Sequence, residues 1–148
     1  MSEVGFYHLT RSSAEAALPA LLGRTLGLGE RALVVCGSAA RVAALDAALW
    51  LCAEPDWLPH GTQAMGHPEL QLIWITETAE NANGAKFLFL TDGADVPELG
   101  VFSRVFDLFD GTSEEQVAAA RKRYAAAKGA GHQLTYWQQT AKGWEKKA

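Results

Sequence analysis

The sequence predicts an α/β fold: a three-layer sandwich with a mostly parallel central sheet between helices. Short apolar strands alternate with helices along the chain, which is typical of parallel strands joined by helical crossovers. Hydrophobic residues make up 49% of the 148 positions, enough for one substantial core. Residues 32–36 (Ala-Leu-Val-Val-Cys) are continuously apolar, as expected of a strand buried on both faces.

Local signals place the elements of the first half of the chain. Ser12 or Ser13 is a suitable N-cap for a helix whose apolar side consists of leucines, and Gly37 precedes a second helix. Proline and glycine then recur at short intervals and predict a loop. The predicted elements are a strand over 4–9, a helix over 14–26, a strand over 31–36, a helix over 39–51 and a loop over 53–68.

The second half continues the alternation. Ser113 and Gln116 have the spacing of a capping box, and Gly129 and Gly131 end the helix that follows. We predict strands over 70–76, 86–91 and 105–109, a helix over 114–128, and a last edge strand over 133–138. We expect one domain over residues 1–141 and a basic, flexible tail over 142–148.

Charge is distributed unevenly along the chain. Residues 121–148 hold seven basic residues and one acidic residue, a net charge of +6. The preceding residues hold six basic and sixteen acidic residues, a net charge of -10, so the whole chain carries -4. The acidic body is expected to repel nucleic acid, whereas the basic end is suited to an anionic partner or is simply solvated.

Other compositional features indicate a cytoplasmic protein. The longest apolar runs fall short of the roughly 18 to 20 residues that span a bilayer, and no secretory signal is visible. Cys36 and Cys52 lack a Cys-x-x-Cys spacing, and we expect both to be reduced and mostly buried.

The motifs of nucleotide, metal and nucleophilic sites are weak in this sequence. The first strand-to-helix turn, residues 9–13, has no glycine to bring its backbone close to a phosphate. The four histidines are scattered, away from further metal ligands, and Cys36 or Ser38 with His60 forms no recognisable catalytic pattern. We therefore expect no cofactor, no metal and no catalytic site.

An aromatic and basic constellation is the stronger signal. Trp50 lies at the end of the second helix, at the edge of its core stripe, and is expected to be half-buried. Trp57 follows within a few residues. On the last helix Arg121, Tyr124 and Lys128 share one stripe with Val117, and the alanines of that helix are expected to pack on the sheet. These residues would line one groove for an acidic, aromatic ligand; alternatively, both tryptophans are core residues and the cations are solvated.

The same residues carry a family resemblance. The chain resembles the chi subunit of bacterial DNA polymerase III holoenzyme, a clamp-loader accessory subunit. The matching segments extend over nearly the whole chain: Phe-Tyr-His-Leu at 6–9, Leu-Asp-Ala-Ala-Leu-Trp at 45–50, Trp-Leu-Pro-His-Gly at 57–61 and Ala-Arg-Lys-Arg-Tyr at 120–124.

The resemblance implies a Rossmann-like fold without nucleotide binding or catalysis. It also implies binding to the acidic, phenylalanine-ending C-terminal tail of single-stranded DNA-binding protein, and attachment to the psi subunit or another clamp-loader subunit. Carried over by position, Trp50 and Trp57 would wall the pocket, Arg121 would pair with the tail carboxylate, and Tyr124 would pack on the tail or hydrogen-bond to it. Helix spacing adds Lys128 as a rim charge. Some members have a lysine where this chain has Ala125.

An alternative function remains open. The basic C-terminal segment contains Trp137 and Trp144, and aromatic residues among cations are suited to stacking on the bases of single-stranded nucleic acid.

Overall fold

The computed structural model describes residues 2–51, 58–94, 96 and 99–147. Its strands are β1 (Glu3–Leu9), β2 (Ala32–Val35), β3 (Gly61–Thr62), β4 (Ile73–Thr76), β5 (Phe87–Thr91), β6 (Arg104–Asp110), β7 (Gln133–Thr140) and β8 (Gly143–Lys146). Its α-helices are α1 (Ala14–Gly27), α2 (Ala39–Leu51) and α3 (Glu114–Gly129). Single 3₁₀ turns occur at Pro68–Leu70 and Leu99–Val101.

The described strands form one eight-stranded sheet in the order β3-β4-β2-β5-β6-β1-β7-β8. Every pairing is parallel except that of β7 with β8, which is an antiparallel hairpin. The predicted α/β sandwich with a mostly parallel sheet is therefore confirmed.

Two expectations about the C-terminal part differ from the structure. β7 is not an edge strand, because it pairs with β1 on one side and β8 on the other. Residues 143–146, expected to belong to a flexible tail, form β8. The charged residues around Trp144 leave no apolar pattern that would predict this strand from the sequence. Its pairing with β7 identifies it. The short β3, inside the predicted loop, was also missed.

Serine caps begin two of the helices where the sequence predicts them. The Ser13 hydroxyl accepts a hydrogen bond from the Ala16 N–H, and Ser113 does the same for Gln116. The Gln116 side chain differs from a standard capping box: it accepts from the N–H of Asp110 rather than from that of Ser113. It thereby ties the start of α3 to the end of β6.

Side chains alternate between two cores on opposite faces of the sheet, as the period of a strand requires. One core includes Tyr7 and Val34 and is covered by α1 and α2; this side is named the α1–α2 face. The other includes Phe6 and Leu33 and is covered by α3; it is named the α3 face. Residues on α2 and α3 are consequently separated by the sheet.

Candidate partner-binding site

Fewer alanines of α3 pack on the sheet than the sequence suggested. Ala120 and Ala127 are buried against the α3 face, and Val117 and Tyr124 pack beside them. The remaining alanines of the helix, at 118, 119, 125 and 126, are exposed. The sheet thus contacts one stripe of α3 and leaves its other sides to solvent.

The basic run on α3 divides into two kinds of residue. Arg121 and Lys122 are exposed, as is Lys128 further along the helix. Arg123 points inward and forms two hydrogen bonds with Asp107 of β6, Nε to Oδ2 at 2.7 Å and Nη2 to Oδ1 at 3.0 Å. The Asp107 side chain is only 3% exposed, so this pair anchors α3 to the sheet.

An aromatic cluster adjoins the stripe that the sequence selected. The Tyr124 ring lies 5.2 Å from the Phe6 ring and 6.4 Å from that of Tyr136 on β7, measured between centroids. Tyr136 in turn hydrogen-bonds through its hydroxyl to His8 Nδ1 at 2.6 Å. The Phe109 ring contacts both, at 5.1 Å from His8 and 6.2 Å from Tyr136.

Arg121 acts electrostatically on this cluster. Burial raises the pKa of the Tyr136 phenol above its ordinary value, and the positive charge of Arg121 acts in the opposite direction. Arg121 is exposed and lies about one helical turn before the half-buried Tyr124, so its guanidinium is on the side of α3 that carries the aromatic surface. We name the surface formed by Arg121, Tyr124, Lys128, Tyr136 and His8 the α3–β7 surface.

Trp50 lies elsewhere. It is 64% exposed at the end of α2, not half-buried as expected, and its ring centroid is 4.8 Å from that of His60. His60 is buried, with Nδ1 2.6 Å from the carbonyl oxygen of Leu58 and Nε2 3.1 Å from Asp46 Oδ1. The expected single groove combining Trp50 with Arg121 and Tyr124 does not form, because the sheet separates α2 from α3.

Two other predicted residues, Trp57 and Cys52, lie outside the described residues. Cys36 is a free, buried cysteine at the end of β2, as expected. Burial raises the pKa of its thiol to about 11, so this thiol stays protonated near neutral pH and is a poor nucleophile.

The turn after β1, where related folds bind phosphate, is occupied by a side chain of the protein itself. Gln139 Oε1 accepts hydrogen bonds from the N–H groups of Thr10, Arg11 and Ser12 at 3.2, 2.9 and 3.0 Å. Its Nε2 donates to the Ser12 hydroxyl at 2.7 Å. Three convergent N–H groups form an anion-binding nest, and here a neutral amide satisfies them.

A cavity of about 410 Å³ adjoins this turn at the carboxyl ends of β1 and β6. Three of its charged groups are paired with one another: Arg41 forms ion pairs with both Glu15 and Asp92, the latter at 2.6 Å. Among the residues described, no three His, Cys, Asp or Glu side chains are grouped as metal ligands would be.

Two members of the α3–β7 surface, Tyr136 and His8, were not selected from the sequence. Tyr136 alternates with Trp137 on β7, so its side chain points to the α3 face while that of Trp137 points to the other. The available signal was the alternation of side chains along β7, which assigns every second residue to the same face of the sheet. It could be used only once the pairing of β7 with β1 was known.

The fold and this surface define an α/β protein with half-buried tyrosine rings and exposed cations on a helix–strand surface. The family model "DNA polymerase III chi subunit, HolC" matches residues 1–135 of the 148. The chain belongs to the DNA polymerase III chi subunit family, and it is accordingly an accessory subunit of a replicative polymerase assembly. A comparison with curated proteins finds no match. Within the described part of the chain, no helix has the length and apolar character needed to cross a membrane.

Proposed function

We propose that this chain is a non-catalytic subunit that binds the acidic C-terminal tail of single-stranded DNA-binding protein through the α3–β7 surface. It thereby connects the clamp-loader assembly to coated single-stranded DNA. The observation that carries the proposal is the position of Arg121 beside the Tyr124–Tyr136 pair. In a peptide that ends in an aromatic residue, the ring and the free carboxylate belong to the same residue. A binding site therefore needs an aromatic contact and a cation close to each other.

Each member of the surface has a distinct role in this proposal. Arg121 pairs with the terminal carboxylate, for which a planar guanidinium is well suited. The rings of Tyr124 and Tyr136 receive the aromatic side chain, and their centroid separation of 6.4 Å leaves ring edges and faces for such contacts. Lys128, one turn beyond Tyr124, attracts the acidic residues upstream in the tail.

The cations set the salt dependence of the contact. Ala125 is exposed, next to Tyr124, where some family members have a lysine, so this chain has one rim charge fewer. An exposed charge contributes up to about 1 kcal/mol and is screened by salt, whereas a central arginine or aromatic contributes about 2 kcal/mol or more. We expect a dissociation constant of about micromolar order, which corresponds to about -8 kcal/mol.

The test is fluorescence anisotropy with a labelled peptide that copies the tail of the organism's own single-stranded DNA-binding protein, at two salt concentrations. We expect binding that weakens with salt and is lost when the terminal aromatic residue of the peptide is removed. A peptide with the same composition in scrambled order is the matched control. Equal binding of native and truncated peptides would contradict the proposal.

Attachment to the rest of the assembly requires a second surface. We place it at the end of α2, where Trp50 and Leu51 are exposed apolar neighbours, and its partner is the psi subunit or another clamp-loader subunit. We expect Leu51→Glu to abolish co-purification with that partner. The control is Val101→Glu, which changes another exposed apolar residue. Loss of co-purification in both variants, or in neither, would argue against this surface.

A further inference from the structure

The α1–α2 face is covered unequally. α1 packs chiefly on β2 and β6, whereas α2 packs on β3 and β4. Over β1, β7 and β8, this face of the sheet is covered by aromatic side chains that belong to these strands. Tyr7, Trp137 and Trp144 form this group, which we name the aromatic platform. The two tryptophans remain partly exposed.

Strand pairing fixes the arrangement of the platform. Tyr7 is opposite Trp137 in the β1–β7 pair, and their rings stack with centroids 6.1 Å apart and planes 8° apart. Trp144 is opposite Gln139 in the hairpin, which places it on the same face as Trp137. Its ring meets Tyr7 edge-on at 5.1 Å. Three aromatic rings thus lie side by side on one sheet surface.

Cations surround these rings. Lys146 is exposed and opposite Trp137 in the β7–β8 pair, which places it on the platform side. The guanidinium of Arg104 lies 4.8 Å from the centroid of the Phe106 ring. Arg104 lines a cavity together with Tyr7 and Trp137. Burial raises the pKa of Tyr7, and the charges of Arg104 and Arg24 oppose that effect. Arg104 also faces one acid, Glu3, at 3.6 Å.

A cavity opens at one end of the platform. Its volume is about 200 Å³, compared with roughly 150 Å³ for an engineered cavity that admits benzene. Tyr7 and Trp137 supply aromatic walls, and Gln133 and Thr135 supply polar groups. Gly5 makes the floor, because a Cβ there would lie 2.8 Å from the Tyr7 ring. The cavity therefore combines ring faces with hydrogen-bonding groups at their edges.

We propose that the aromatic platform binds single-stranded nucleic acid, with bases stacking on Trp144 and Trp137 and phosphates contacting Lys146, Arg104 and Arg24. Several adjacent ring faces among cations suit successive bases on an anionic backbone, whereas a peptide tail needs only one aromatic pocket. Among the basic residues of 121–148, strand pairing places Lys146 on the platform side, whereas those of α3 lie on the opposite face. The acidic remainder limits the affinity to a weak, salt-sensitive range, of the order of 10⁻⁴ to 10⁻⁶ M.

The platform is independent of the proposed tail site because it lies on the opposite face of the sheet. Trp137 and Tyr136 are neighbours on β7, yet they point to different faces. The two ligands can therefore be tested separately on the same protein. A failure of tail binding leaves this proposal unaffected.

The experiment measures anisotropy of a short labelled oligothymidine with the full chain over a range of salt concentrations. Trp144→Ala is expected to weaken binding about tenfold through the loss of one stacking contact. Lys146→Ala is expected to lower the magnitude of the log–log salt slope by about 0.7, the value for one phosphate contact on a single strand. Leu70→Ala and Lys122→Ala are the controls, since each removes an exposed side chain, one apolar and one cationic, away from the platform.

Circular dichroism of each variant verifies that β8 and the hairpin are retained. Lys146→Ala provides the decisive measurement if Trp144→Ala perturbs packing, because the Lys146 side chain is exposed. The proposal is overturned if oligothymidine fails to bind at low salt, or if the platform variants match the controls. It is also overturned if they weaken binding of the acidic tail peptide instead of oligothymidine, which would make the platform a peptide site.

Discussion

The end of α2 and the middle of α3 each present a predicted binding residue to solvent, but the surroundings of the two residues differ. At the end of α2, exposed Trp50 lies against His60, whose Nε2 is close to the carboxylate of Asp46. On α3, exposed Arg121 lies one helical turn from Tyr124, and its charge opposes the rise in the pKa of Tyr136 that burial causes. The first surroundings are apolar and acidic, whereas the second are apolar and basic. An acidic, aromatic tail complements only the second.

The comparison also shows how sequence spacing groups residues wrongly. Trp50 and Arg121 are expected in one groove because an acidic, aromatic ligand needs both aromatic and cationic contacts. The sheet lies between them because α1 and α2 cover one face and α3 the other. The tail proposal therefore depends on the α3–β7 surface alone, and Trp50 becomes a candidate for another contact.

The largest effect is expected for Arg123→Ala and concerns stability, not binding. Removal of the guanidinium breaks both hydrogen bonds that Arg123 donates to the buried Asp107 carboxylate, and we expect a loss of about 3 kcal/mol in the free energy of unfolding. Urea denaturation measures this loss. Lys122→Ala, one residue away and exposed, should stay within about 0.5 kcal/mol of wild type. Similar losses in both variants would contradict the anchoring role of Arg123.

Arg121→Ala should weaken tail-peptide binding about tenfold or more, which corresponds to about 1.4 kcal/mol, without changing the urea midpoint. The physical reason is the loss of the cation that pairs with the terminal carboxylate. Anisotropy with the labelled tail peptide measures the effect, and Lys122→Ala again serves as the charge-matched control. Wild-type affinity in Arg121→Ala would remove the central residue of the site.

Tyr136→Ala should weaken the same contact about fivefold, because the aromatic surface beside Arg121 loses one of its two tyrosine rings. Tyr136→Phe keeps the ring and loses only the hydrogen bond to His8, so it should retain most of the affinity. The ratio of the two affinities from anisotropy titrations is decisive. Equal weakening would mean that the hydroxyl, rather than the ring, contributes to binding.

The smallest effect is expected for Trp50→Ala, which should change tail binding less than twofold because Trp50 lies on the other face of the sheet. Isothermal titration calorimetry with the unlabelled peptide measures it. A loss comparable to that of Arg121→Ala would show that the tail also contacts the α1–α2 face. The separation of the two surfaces in function would then be wrong.

Most elements could be predicted because their signals are local. The Ala32–Val35 strand is an uninterrupted apolar run, and Ser113 with Gln116 marks the start of α3 within one residue. β8 could not be predicted in this way, since Gly-Trp-Glu-Lys alternates no obvious apolar face. It becomes a strand because β7 offers a free edge and Trp144 packs on Tyr7. The same long-range contact was needed to identify Tyr136 and the platform.

The sequence alone determined the α/β class, the order of most helices and strands, and the family, because apolar periodicity, caps and short motifs are properties of neighbouring residues. It also singled out Arg121, Tyr124 and Lys128 as one helical stripe. Only the tertiary structure decided which stripe faces which strand. The reason is that parallel pairing joins residues about 130 positions apart, as in Tyr7 and Trp137, and the parity of each strand then assigns every side chain to one face of the sheet.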